Sequence, residues 1–540
     1  MLFVTVPATL AISCEGALCR GHLPKPYMTT PIENEHATKG RLIARNTLML
    51  YVRMLFLMLV SLYTSRVVLG ALGEEDYGIY NVIGGVVAMF TVISGALSSA
   101  VTRFITFGLA RGDREKLGRI YSTAVTVQLA IAVAVVLLAE PSGLWFISNK
   151  MTIDPSRIPA ARMVLHFSVF SFAVNLMSVP QMASITAHER MGAYAGIGIF
   201  DGLCRLAVAF LIMASPSDRL VSYAALMAVA TLLVRSAYWL WCRMHLPECS
   251  YRFIYDRKLM REIASFAGWN FIGVTSGVLR DHGGNILVNI FSGPAVNAAR
   301  GVAVQLNGAV QGFVSNFMTA VNPQITKSYA CGDREYMFAL MRRSSRMSFY
   351  LLLVLALPVI FNAEYILGLW LKNVPEHSSM FVRLFLVFAL SESLSTPLIT
   401  GMLATGRIRN YQIVVGGLQL LNLPVSYIFL KAACMPEVTV IVAIVLSQVC
   451  LFARLVMLGG MTGFPVGTYI RRVWLNVIIV AFAACVIPAL LHGRLGGGFR
   501  GFVMSAAVCF LCACVSVLWA GCSGDERRWI LNVVRKGGKA

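Results

Sequence analysis

Arg53, Arg280 and Arg300 stand inside apolar runs of the chain, as do Asp281, Asn285, Asn307, Gln311 and Glu392. A guanidinium is planar, always charged, and can make two parallel bonds to a phosphate. Asn and Gln offer both donors and acceptors, which suits sugar hydroxyls. The three arginines are therefore candidate phosphate ligands, and Asn285, Asn307 and Gln311 candidate sugar contacts. Asp281 and Glu392 are candidate carboxylates for coupling to a proton or sodium ion. A charge at a bilayer centre costs about 2.5–3.5 kcal/mol on insertion scales, so such residues face a bundle interior or a path.

Most of these side chains lie between Trp269 and Gln311, in two consecutive apolar segments. Asp281, Asn285 and Asn289 step by four along the first; Asn297, Arg300, Asn307 and Gln311 share a face of the second. Two polar stripes on neighbouring helices suggest a wetted cavity. Each residue has a plainer reading. Arg53 is close enough to a helix end to snorkel. Arg280 and Asp281 could form an ion pair, although sequence neighbours point apart on a helix. Arg300 could point out of the membrane, and Glu392 could be a hydrogen-bonded packing residue. Asp201 and Arg205, four apart, read as an internal ion pair, and His166 as a satisfied interfacial histidine. Arg235 and Arg454 read as snorkelling residues.

The elements that position these groups are set by composition. The 540 residues are 57% apolar and only 13% charged, with a mean hydropathy of +0.72, which is too hydrophobic for a soluble domain. An all-α polytopic membrane protein follows. Its net charge of +21 reads as a record of topology and contact with anionic membrane lipids, not as nucleic-acid binding. Cys509, Cys512 and Cys514 lack acidic or histidine company and read as helix packing; no metal or cofactor is expected. About fourteen windows of some 20 apolar residues recur, beginning at 46–67 and 79–101, with the polar pair at 264–290 and 295–321. Arg and Lys cluster in alternate loops, which places both termini in the cytoplasm. Pro180, Pro397 and Pro424 should bend their helices.

An internal repeat organises the spans. AVTRFITFGLARGDRE at 100–115 returns as AVNPQITKSYACGDRE at 320–335, identical at nine of sixteen positions and offset by 220 residues (100 to 320). Six spans separate the copies, so they share one orientation. The expected layout is a cytoplasmic leader at 1–45, with translation starting at Met28, and a six-helix lobe at 46–242. A linker at 243–263, a second six-helix lobe at 264–459, two additional helices at 460–521 and a basic tail at 522–540 complete it. A cleft between the lobes would then alternate its access. In both GDRE copies the Gly and Asp read as helix caps.

The run YTSRVVLGALGEEDYGIYNVIGGVV from Tyr63 to Val87, the GDRE loop and the six-plus-six-plus-two layout together resemble the polysaccharide-export flippases. These belong to the multidrug/oligosaccharidyl-lipid/polysaccharide superfamily. The resemblance extends over almost all of the chain after Met28. It implies outward transfer of an undecaprenyl-diphosphate-linked oligosaccharide across a bacterial inner membrane, for surface polysaccharide or lipopolysaccharide, alongside polysaccharide-assembly proteins. It transfers no substrate-contacting residue. The alternatives are a cation-coupled multidrug exporter of the same superfamily and, more distantly, a membrane glycosyltransferase or polymerase. For that last reading Glu74, Glu75 and Asp76 would supply the acidic motif.

Overall fold

In the computed structural model the backbone is described for residues 32–527 apart from short stretches: 89, 150, 152, 215–217, 254–255, 372–373, 433, 492–497, 523 and 525–526. Side chains are described from residue 44 onward over the same stretches, apart from 74, 86, 88, 114, 214 and 294. The expected start at Met28 and most of the tail at 522–540 lie outside the described residues.

Every described element is helical. In chain order they are α1 (Ile32–Ala88), α2 (Thr91–Ala110), α3 (Arg114–Asn149), α4 (Ile158–Met177), α5 (Val179–Ala187), α6 (Met191–Leu211), α7 (Arg219–His245) and α8 (Arg257–Ala330). Then come α9 (Arg334–Phe361), α10 (Ala363–Trp370), α11 (Ser378–Thr405), α12 (Arg409–Leu420), α13 (Asn422–Lys431) and α14 (Val438–Thr462). α15 (Val466–Tyr469) runs through a π-helical turn into α16 (Leu475–Leu491), and α17 is Gly498–Ser516. Among the described residues, twelve helices are long and apolar enough to cross a membrane. The two polar segments expected at 264–290 and 295–321 fall on α8 and are not among those twelve. The second expected span, 79–101, is displaced: α1 ends at Ala88 and the crossing helix is Thr91–Ala110.

α1 and α8 are each two helices joined at one glycine. Gly73 holds φ 79°, ψ 173° and Gly293 holds φ 83°, ψ 175°, a region essentially reserved for glycine. At Gly293 the chain folds back on itself. Asp281 and Arg300 would be about 28 Å apart along one straight helix, yet the Arg300 Nη2 donates to the Asp281 carbonyl at 3.2 Å.

The repeat is visible in these backbone details. Gly73 and Gly293 are separated by the same 220 residues as the sequence copies (293 less 73), and so are Gly112 and Gly332, at φ 71° and 81°. Asp113 accepts from the Lys116 amide at 2.9 Å and Asp333 from the Tyr336 amide at 3.0 Å, so both start the next helix with the same cap. The expectation of paired helix caps in the GDRE loops holds.

The chain divides into two compact units. One is Met49–Val274; the other is Thr275–Ala540 together with the residues up to Leu48. In the first, Ile79, Ile83, Val135, Val164, Leu165 and Val169 form a core between α1, α3 and α4. Arg157 locks the same region: its Nη2 donates to Asp76, and its Nη1 donates to Asp218 Oδ2 at 2.6 Å. Asp218 also caps α7 through the Leu220 amide at 2.9 Å. Asp76 is thus a buried structural anion, which removes it from the acidic motif that a glycosyltransferase reading needs. Arg157→Ala should lower stability by about 2 kcal/mol, because it strands a mostly buried carboxylate. Thermal unfolding of the purified protein checks this, and an unchanged midpoint would contradict the clamp.

Candidate functional site

Two clusters of polar side chains stand out, one in each unit. In the second unit the fold-back at Gly293 brings Arg300 against the first limb of α8. Its Nη1 donates to Asn285 Oδ1, and its guanidinium lies 5.3 Å over the Phe385 ring. Arg300 is only 4% exposed. A Cβ on Gly284 would come within 2.8 Å of its Nη2, so the glycine leaves the space this arginine fills. The reading in which Arg300 points out of the membrane is therefore wrong; the hairpin turns it inward.

Arg280 sits one step away. Its Nε donates to Asp281 Oδ1 at 2.9 Å, and it lies 4.9 Å over Phe388. The ion pair between sequence neighbours does form, because the arginine stem is long enough to bend back. Asp281 keeps a side chain 61% exposed. Glu392 interacts electrostatically with both Arg280 and Arg454, and its Oε1 is buried without a hydrogen bond.

Arg454 is the residue that sequence reasoning placed wrongly. It does not snorkel: it is 1% exposed and donates from Nη1 to Ser395 Oγ at 2.8 Å. The hydroxyls of Ser391 and Ser447 bond one another beside it, and Trp474 Nε1 donates to Gln448 Oε1 at 3.0 Å. A signal was available. Ser391 and Ser395 are one helical turn apart on α11, with Glu392 between them, and such a face on an apolar helix calls for a polar partner. Asn307 and Gln311 lie half-buried on the second limb of α8, about 10–16 Å beyond Arg300 along the helix. The Asn307 Oδ1 is buried with no hydrogen bond. The structure thus gathers Arg280, Asp281, Asn285, Arg300 and Glu392, and leaves Asn307 and Gln311 further along.

The first unit holds the other cluster. Arg53 lies 4.5 Å over the Tyr194 ring, with its Nε buried and unbonded. Gly198 makes room for it, since a Cβ there would meet the guanidinium at 2.0 Å. Arg235 lies 5.5 Å over Tyr238, also with an unbonded Nε, and the two tyrosine rings are 6.4 Å apart. Asp201 is paired with Arg205 at 3.2 Å, as its spacing suggests. Among the described residues no carboxylate bonds Arg53 or Arg235. His166 bonds Glu140 Oε2 at 2.8 Å, which accounts for it without a transport role.

Several solved structures share this fold. An outward-facing multidrug-resistance MATE family transporter of the MOP superfamily superposes with a TM-score of 0.69 at 12% identity, over 79% of this chain and 96% of that one. A MATE protein in complex with MaD3S gives 0.67 at 13%, over 79% and 97%. A MOP superfamily transporter from Pyrococcus furiosus, described by a binding pocket of reverse polarity, gives 0.66 at 11%, over 79% and 96%. The molecule is thus a multi-pass membrane protein with a MATE-type fold. A family model for polysaccharide biosynthesis proteins matches residues 43–329, and the chain belongs to that family. The membrane protein EpsK of Bacillus subtilis is 22% identical over 334 residues, covering 61% of this chain; the match spans 64% of the length of EpsK.

Proposed function

We propose that this protein is a flippase. It moves an undecaprenyl-diphosphate-linked oligosaccharide outward across the bacterial inner membrane by alternating access, with both termini in the cytoplasm. A diphosphate headgroup cannot cross hydrocarbon unpaired, since isolated buried charges cost tens of kcal/mol in the ideal limit. The observation that carries the reading is the surplus of guanidinium groups within the spans of the first unit. Arg53 and Arg235 are held on tyrosine faces, and among the described residues no carboxylate is hydrogen-bonded to them, in a chain whose family serves polysaccharide biosynthesis. Two cations suit two phosphate charges.

In the second unit Arg280 and Arg300 contact the headgroup only by exchanging partners they already have, while Asn285, Asn307 and Gln311 meet the sugar. An inside-negative potential favours outward movement of an anion by about 2.3 kcal/mol per charge per 100 mV. If a proton or sodium ion also drives the cycle, Asp281 and Glu392 are the carboxylates in place. Each would first have to give up the neighbouring arginine charge.

Deleting the gene and weighing the lipid-linked oligosaccharides by mass spectrometry tests the reading. Full-length undecaprenyl-diphosphate oligosaccharide should accumulate while surface polymer disappears, and a plasmid-borne Arg53→Ala, Arg235→Ala variant should not restore export although it reaches the membrane. A truncated oligosaccharide would point instead to an assembly enzyme. Unchanged lipid and polymer would favour drug export.

A further inference from the structure

On the face that the basic loops assign to the cytoplasm, the first unit has an open cavity of about 670 Å³, lined by none of the arginines of the clusters above. Three stretches far apart in sequence build it: the start of α3, the turn at 188–190 and the segment 245–252. Each contributes one guanidinium group, from Arg119, Arg190 and Arg252 respectively. Each acid on its wall has a basic neighbour. Glu115 accepts from Arg119 Nη2 at 2.7 Å. Glu248 pairs with His188 Nε2 at 2.8 Å, with side chains 11% and 19% exposed. Among the described residues no carboxylate pairs with Arg190 or Arg252.

The repeated fold does not carry Arg119 or Arg190 at both copies. The internal repeat provides the comparison for two of them: Gly112 and Asp113 recur as Gly332 and Asp333, whereas the positions 220 beyond Arg119 and Arg190 are Ala339 and Asn410; that beyond Arg252 is Arg472. The turn that carries Arg190 is held in a costly conformation, with Glu189 at φ 58°. It is fixed on both sides, by the Arg190 amide on the Ile185 carbonyl at 3.1 Å and by His188 Nδ1 on the Ser184 carbonyl at 2.9 Å. Together with the Glu189 amide on the Thr186 carbonyl at 3.0 Å, these bonds close the end of α5 as a helix C-cap, which fixes where Arg190 stands. The wall also offers a ring platform: His245 stacks on Trp241 at 4.6 Å and 10°. Leu246 and Pro247 lie beside it.

We propose that this cavity binds a diphosphate ester with a ring-bearing body, the chemistry shared by nucleoside diphosphates and prenyl-diphosphate sugar headgroups. Arg190 and Arg252 match the two phosphate charges, and a bare phosphate would leave most of the volume unfilled. The inference does not rest on the flippase reading, because it uses none of the residues assigned to transport.

The test uses the full chain in nanodiscs of phosphatidylcholine. Uridine diphosphate is titrated in one arm and a prenyl diphosphate is included in the bilayer in the other, with thermal midpoint and equilibrium binding as readouts. One of the two probes should bind saturably and raise the midpoint. The R190Q/R252Q variant should bind it roughly a hundredfold more weakly, about tenfold per charge-assisted contact. Both arginines are exposed, so this variant should fold like the parent without ligand. Binding of uridine diphosphate identifies a soluble ligand, and binding of the prenyl diphosphate alone identifies a headgroup. The proposal is overturned if neither probe binds, if R190Q/R252Q binds as the parent does, or if R53A/R235A abolishes binding instead.

Discussion

Arg300→Ala should lower the stability of the solubilised protein by about 3 kcal/mol, read as a drop in thermal midpoint with less protein recovered from the membrane. The magnitude follows from burial. A side chain 4% exposed that donates to Asn285 and to the Asp281 carbonyl leaves the Asn285 oxygen without that donor and empties a buried site when it is removed. Arg300→Lys should recover less than half of the loss, because an ammonium cannot reproduce two divergent bonds from one planar group. Gly284→Ala supplies an independent probe: its new Cβ, 2.8 Å from Nη2, should displace the guanidinium and produce a smaller loss in the same direction. An Arg300→Ala protein with the parent midpoint would show that the arginine is not a clamp. If it retained stability and lost only export, Arg300 would serve the headgroup alone and not the hairpin.

The second large effect concerns the fold-back itself. Gly293→Ala should destabilise by about 1–3 kcal/mol, and Gly73→Ala by a similar amount, because φ near +80° with ψ near 175° is a region that a Cβ makes costly. Nothing crowds either position; no atom lies within 4 Å of the Cβ that alanine would add. The cost is therefore one of backbone conformation alone, and serine should behave like alanine. Gly308→Ala, also with open space but in ordinary helical conformation, is the control and should change stability little or raise it. Equal midpoints for Gly293→Ala and Gly308→Ala would refute the conformational argument.

Much of the fold was legible because a bilayer enforces a crude code: long apolar helices, basic loops on one side and a repeated cap. The GDRE copies could be matched residue by residue, whereas Gly73 and Gly293 could not, since the residues around them differ (LGEED against SGPAV). Only the shared backbone angles reveal that equivalence. The site was less legible. Arg280, Asp281, Asn285 and Arg300 could be nominated as intramembrane polar residues, but whether Arg300 faced inward depended on the direction in which α8 returns after Gly293. Arg454 was misjudged because depth along a helix says nothing about rotation around it. A lone arginine near a helix end snorkels or is buried according to which neighbour its face meets, and that neighbour, Ser395, lies 59 residues earlier. Arg235 posed the same problem.

The burial of Arg454 also has a consequence for how the protein is made. A helix that carries an arginine into hydrocarbon alone incurs the insertion cost of about 2.5–3.5 kcal/mol. The groups that relieve it, Ser395 and Glu392, are on α11, and Arg280, which shares Glu392, is on α8. Synthesis runs from the amino terminus, so α8 enters the bilayer with Arg280 paired only to its neighbour Asp281. α11 then supplies a second carboxylate, and α14 arrives last, to a partner already in place. The order of helices along the chain is thus an order of charge neutralisation during biogenesis, and a ribosome-bound chain ending before α11 should retain Arg280 in a wetter setting than the finished protein does.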